Sequence, residues 1–173
     1  MNYFELFEMP ISLTIDKKYL QDKYFELQKK YHPDFFSNKS DEEQAEVLEK
    51  SSIINKAYKT FNNDDETIKY VLQLKGVLEE EEKYELPPEF LIEMMELNET
   101  LMEVDDSSLE ETETKINQLE KTLYDKVQNI IEYYNEENTT SEQLLQVKDY
   151  YFKKKYLKRI LERLDGMRNI ASQ

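Results

Sequence analysis

The sequence predicts an all-α chain in two domains, a helical hairpin followed by an antiparallel three-helix bundle. Three observations predict it. Only two glycines and four prolines punctuate 173 residues, and a β-sheet needs turn residues every few positions. Apolar residues recur at spacings of three and four through the long segments, the period of a helix with one buried face. Near the middle, "VLEEEEKYELPP" changes the texture of the chain, and acidic runs of this kind are commonly solvated and separate domains. The expected division is a first domain over 1–76, an acidic linker over 77–88 and a bundle over 89–173.

The elements follow in order. "NYFELFEMP" reads as a short apolar turn of helix that Pro10 ends. Asp16 is placed to cap a helix over 17–31, because a carboxylate there accepts the free N–H groups of the first turn. Leu20, Tyr24, Leu27 and Tyr31 form its apolar stripe. Pro33 disfavours helical geometry at His32 and stops the helix there. Ser40 and Glu43 suggest a capping box before a helix over about 42–61, with Val47, Ser51, Ile54, Tyr58 and Phe61 on one face. "NNDDE" reads as a break, and "TIKYVLQLKG" as a short third helix that Gly76 terminates.

In the second half, Pro87 and Pro88 suit the entry to a helix over 89–104. A second helix is expected at about 108–135, carrying Ile116, Leu119, Leu123, Val127, Ile130 and Tyr134. A third is expected at about 141–169, carrying Leu144, Val147, Tyr151, Leu157, Leu161 and Leu164. Short connections make the three helices antiparallel. The first two are acidic and the last holds "KKKYLKR", so opposite charges can face each other.

Composition narrows the function. A net charge of −15 argues against nucleic acid, whose binders carry a basic footprint. The absence of cysteine removes disulfides, thiolate zinc sites and thiol nucleophiles together. No apolar run approaches the roughly 20 residues of a membrane span. The start of the chain resembles neither a signal nor a transit peptide. The expectation is a soluble, cytoplasmic protein without metal or cofactor.

The stretch "KKYHPDFF", residues 29–36, holds the only histidine. As a catalytic fragment, His32 would be a base and Asp34 its orienting partner. Pro33 stiffens the backbone between them and places the pair poorly for a direct hydrogen bond. As a structural feature, Pro-Asp is a common turn former that Tyr31, Phe35 and Phe36 could pin. A third reading is a rigid protein-contact tip at the end of a lysine-bearing helix.

Context favours the third. "NYFELF", "YLQDKYFELQKKYHPD" and "INKAY" at 54–58 resemble, in turn, the opening helix, second helix with its loop, and third helix of a J-domain. A J-domain followed by "YVLQLKG" and an acidic three-helix bundle resembles the HscB family along essentially the whole chain. Its members are J-type co-chaperones of iron–sulfur cluster biogenesis with an L-shaped, two-domain fold. The resemblance implies that His32, Pro33 and Asp34, with Lys23, Lys29 and Lys30 behind them, engage a DnaK-class, HscA-like chaperone and stimulate its ATPase. It implies no catalysis by this chain itself. Five lysines on helix 17–31 would form a local positive patch, unless they are merely a solvated face.

The helix over 89–104 offers a second surface. Phe90, Met94, Leu97, Leu101 and Val104 make its core stripe. Leu91, Met95 and Met102 lie on the flank, and Ile92, Glu96, Glu99 and Glu103 lie opposite the stripe. Apolar residues edged by carboxylates suggest a partner site; the alternative is packing on neighbouring helices. The resemblance implies that Leu91, Ile92, Met95, Glu96, Glu99, Glu103 and Tyr156 bind the cluster scaffold IscU. A J-protein serving a different client is the other reading. Two departures stand out: Phe35 replaces the basic residue that usually follows the tripeptide, and Asp64 and Asp65 replace the usual residues before "YVL".

Overall fold

The structure is a computed structural model that describes residues 1–103, 105 and 107–171. It is all-helical, with no strand among the described residues. The helices are α1 (Tyr3–Leu6), α2 (Lys17–Tyr31), α3 (Asp41–Phe61), α4 (Asp64–Leu74), α5 (Pro88–Met102), α6 (Leu109–Asp125), α7 (Gln128–Glu132) and α8 (Ser141–Ala171), with a 3₁₀ turn at Pro33–Phe36. They form two compact units. The first is Met1–Lys75 with Tyr134–Asn138, and the second is Gly76–Tyr133 with the chain from Thr139 onward.

In the first unit, α2 and α3 form the hairpin. The Asp16 carboxylate accepts from the Lys18 and Tyr19 N–H groups, so the helix starts where its cap predicts. Leu20 and Leu27 are buried, facing Ile54, Ala57 and Phe61 of α3. Ser40 and Glu43 close the expected capping box. Helix α1, at four residues, is too short to persist alone. Aromatic packing fixes it. Tyr3 stacks on Tyr70 at 4.5 Å, and Phe4 and Phe7 meet Phe61 at 4.7 and 5.8 Å.

Helix α4 begins earlier than expected. "NNDDE" is its cap and first turn rather than a break. The Asn63 side chain accepts from the Glu66 N–H, and Asp64, Asp65 and Glu66 occupy the turn where the helix dipole favours anions. Asp64 also pairs with Lys17 at 3.0 Å. After the C-cap Lys75, Gly76 takes the left-handed conformation at φ 71° and ends the helix.

In the second unit, Pro88 occupies the first turn of α5. Met94, Leu97, Leu101, Ile116, Val147, Leu157 and Leu164 make the core. Lys154–Glu120 and Arg168–Glu113 join α8 to α6, the opposite charges facing as expected. The single helix expected over about 108–135 is two. It is interrupted at Lys126 and Val127, where the Val127 N–H closes a tight turn on the Tyr124 carbonyl, and it ends at Glu132. Val127 and Ile131 are both buried across the interruption. No glycine or proline marks the position, so the sequence holds no local sign of it.

The acidic segment before α5 is not helical, yet it is pinned to α8. Leu78 is buried. The buried Lys148 ammonium donates to the Val77 carbonyl at 3.0 Å and lies 2.6 Å from the Glu82 carboxylate. Tyr84 stacks on Phe152 at 4.5 Å and donates to Asp149 at 2.8 Å.

Candidate functional site

Two surfaces carry the candidate residues, one on each unit. The first is the tip between α2 and α3. His32 leaves the helix at φ −70°, ψ 129°, the extended geometry that a following proline imposes. Its Nδ1 accepts the Asp34 N–H at 3.2 Å, so the imidazole caps the 3₁₀ turn. With Nδ1 accepting, a neutral ring carries its proton on Nε2. The Asp34 carboxylate stands 3.6 Å from Nδ1, beyond hydrogen-bond distance. The histidine is thus held by the backbone rather than oriented by the carboxylate, which is 86% exposed.

The base of the tip is stiff. Tyr24 and Gln28 of α2 both donate to Asn55 of α3, at 2.9 and 2.7 Å, and Tyr24 stacks on Tyr58 at 4.0 Å. The Lys50 and Lys30 ammonium groups lie 4.5 and 5.3 Å from the Tyr31 ring centre. Chiefly through its hydrogen bond, Lys50 holds the Tyr31 phenol below its ordinary pKa.

The lysine patch is smaller than expected. Lys17 pairs with Asp64 and donates to the Phe61 carbonyl, and Lys18 lies 3.9 Å from Asp22. Lys23 is buried and engaged by Glu8 and Glu26. Its place on helix 17–31 suggests a surface cation, but α1 and its following turn supply Glu8 over it. Lys23 therefore holds the fold together and offers no free charge. Lys29 and Lys30 are exposed, and among the described residues neither meets a carboxylate within 4.0 Å. One residue that sequence reasoning missed is Phe25, which is 54% exposed on the outer face of α2. Its position off the Leu20–Leu27 stripe was the available signal.

The second surface is on α5. Phe90, Met94, Leu97 and Leu101 are buried as expected; Val104 lies outside the described residues. Leu91, Ile92, Met95 and Met102 are 38, 58, 61 and 82% exposed. Met95 and Met102 of that flank are thus mostly uncovered, whereas Leu91 is partly covered. Glu96, Glu99 and Glu103 are exposed beside them. Tyr156 of α8 is half-buried, its ring 6.2 Å edge-on from Phe90, which places it where α8 meets the base of α5. Leu, Ile and Met side chains thus form an exposed apolar ridge edged by carboxylates. Among the described residues no group of His, Cys, Asp or Glu is placed to hold a metal ion, and no helix is long and apolar enough to cross a membrane.

Comparison with known proteins decides the family. The co-chaperone protein HscB homolog of Psychromonas ingrahamii is 35% identical over 153 residues, 86% of this chain and 89% of that protein. The chain belongs to the HscB co-chaperone family. Residues 86–165 match the family described as the HSCB C-terminal oligomerisation domain. The human iron-sulfur cluster co-chaperone protein HscB is 35% identical over 133 residues, 76% of this chain and 57% of that protein. The crystal structure of human co-chaperone protein HscB superposes with a TM-score of 0.81 at 30% identity, covering 97% of this chain and 82% of that one.

Proposed function

We propose that this chain is a J-type co-chaperone of iron–sulfur cluster assembly. It stimulates the ATPase of an HscA-like, DnaK-class chaperone and delivers an IscU-like scaffold to it. The observation that carries the reading is the His32–Pro33–Asp34 tip, its imidazole fixed by the Asp34 N–H and two exposed lysines, Lys29 and Lys30, in the turn before it. The exposed α5 ridge supplies the scaffold contact. One chain holding both partners raises the effective concentration of each for the other. The hydrolysed bond is the partner's; this chain positions and releases.

Single-turnover ATP hydrolysis by an HscA-like chaperone tests this, with the chain and an IscU-like scaffold added separately and together. Synergy is expected. His32→Gln should abolish stimulation and leave scaffold binding intact. Normal stimulation by that variant would sink the J-domain reading.

A further inference from the structure

Of the eight phenylalanines in the chain, four are buried and only Phe25 and Phe35 are exposed, at 54 and 65%. Phe25 lies midway along α2 and Phe35 in the 3₁₀ turn that follows it. Isolated exposed apolar residues are ordinary, but these two are connected through the tip. Phe25 and His32 are seven residues apart on α2 and its C-cap. At 3.6 residues per turn they lie about 20° apart around the axis and about 10 Å apart along it. Lys29 falls between them, about 40° from Phe25. The Phe35 ring in turn lies edge-on to the His32 ring at 6.0 Å. Phe25, Lys29, His32 and Phe35 thus follow one another along a single exposed face.

The charge on that face is reduced as well. Lys17 and Lys23 are closely paired with carboxylates, Lys18 lies 3.9 Å from Asp22, Lys30 lies against the Tyr31 ring, and Lys29 remains on this face. A docking surface relying on cations alone would be weak here, in a chain of net charge −15. The Lys29 ammonium, with an exposed aromatic ring before and after it along that face, matches an acidic surface that also carries an apolar patch.

We infer that Phe25 and Phe35 are apolar anchors in the contact with the ATP-hydrolysing chaperone, on whose facing surface an apolar patch adjoins the acidic one. The inference rests on the J-type reading above. Its consequence is a docking step that resists salt, because apolar burial is not screened whereas exposed charge pairs are.

The test reads the concentration of this chain giving half-maximal ATPase stimulation, at about 50 and about 300 mM salt. Phe25→Ala combined with Phe35→Ala should raise it about tenfold at both salts, while the rate at saturation falls less than about twofold. Phe25→Lys combined with Phe35→Arg should bind well at low salt and lose most of that affinity at high salt. A half-maximal concentration unchanged in the double alanine variant would overturn the inference. So would a defect confined to scaffold binding or to self-association, which would assign the face to those partners. Wild type and His32→Gln are run in parallel. If wild type gives no stimulation, the J-type reading fails and takes the anchors with it. If only the alanine variant behaves like wild type, the anchors alone fail.

Discussion

The Lys23 ammonium stands 2.5 Å from the Glu8 carboxylate, and Glu8 is one of two non-glycine residues among those described with a left-handed backbone, at φ 54°. The pair, with the Tyr19 hydroxyl donating to the Phe7 and Glu8 carbonyls, holds the reversal after α1 against α2. A strained residue of this kind persists where its surroundings over-determine it. The hydrogen bond from Lys23 holds the Glu8 carboxyl below its ordinary 4.5, and the same bond raises Lys23 above 10.5. The contribution of Glu8 is therefore present above pH 4.5 and lost as pH falls through its lower folded value. That of Lys23 is present below pH 10.5 and lost as pH rises through its higher folded value. Lys23→Met should lower the melting temperature at neutral pH, with the gap to wild type closing in acid. Because its ammonium is already engaged, the same variant should keep the half-maximal stimulating concentration within about twofold of wild type. Lys29→Met should raise it.

Met94 and Met95 are neighbours with opposite fates. Met94 is fully buried and Met95 is 61% exposed. Met94→Ala should cost about 2–5 kcal/mol of stability, measured by denaturant unfolding. Met95→Glu should stay within about 0.5 kcal/mol in the same assay. In a binding titration with an IscU-like scaffold, Met95→Glu should lose about 2 kcal/mol or more, about thirtyfold in Kd. Unchanged scaffold affinity would remove the α5 ridge from that role.

Asp16 is a cap whose removal leaves two N–H groups of α2 without their acceptor. Asp16→Ala should destabilise the first unit by about 1 kcal/mol, seen as faster amide exchange at Lys18 and Tyr19. Asp16→Asn should restore most of it, since an amide oxygen caps nearly as well.

Those caps explain why so much was legible. Asp16, Ser40 and the Pro87–Pro88 pair state helix starts in local chemistry, and the predicted starts agree with the structure to within a residue. The apolar stripes named the core because burial follows the helical period. The illegible parts are those where a tertiary contact decides. Lys23 looks like a surface cation until Glu8, fifteen residues away, is folded over it. The break at Val127 has no breaker residue, and Asn63 reads equally as a loop residue or a cap. At the sites, the exposure of Leu91, Ile92 and Met95 followed from their positions off the stripe. The same arithmetic would have found Phe25, had it been applied to the outer face of α2.

Tyr84 gives an alkaline signature. Burial, reinforced by its hydrogen bond to Asp149, pushes its phenol up from 10 to about 12. A raised folded pKa means stability that is present below pH 10 and lost as pH rises toward 12. A tyrosinate absorbance titration should show a late component that Tyr84→Phe removes. In unfolding experiments the variant should show a shallower loss of stability over that alkaline window.

The pinned acidic segment has a consequence for how the chain is cut. By composition, "VLEEEEKYELPP" is what a protease would choose, charged and free of helix. Cleavage requires the backbone to detach and extend into the enzyme's groove. Here Lys148 grips Val77 and Glu82, and Tyr84 lies flat on Phe152. The scissile candidates therefore stay withdrawn until α8 itself loosens, and nicking at Lys83 reports the unfolding of the bundle rather than the looseness of a hinge.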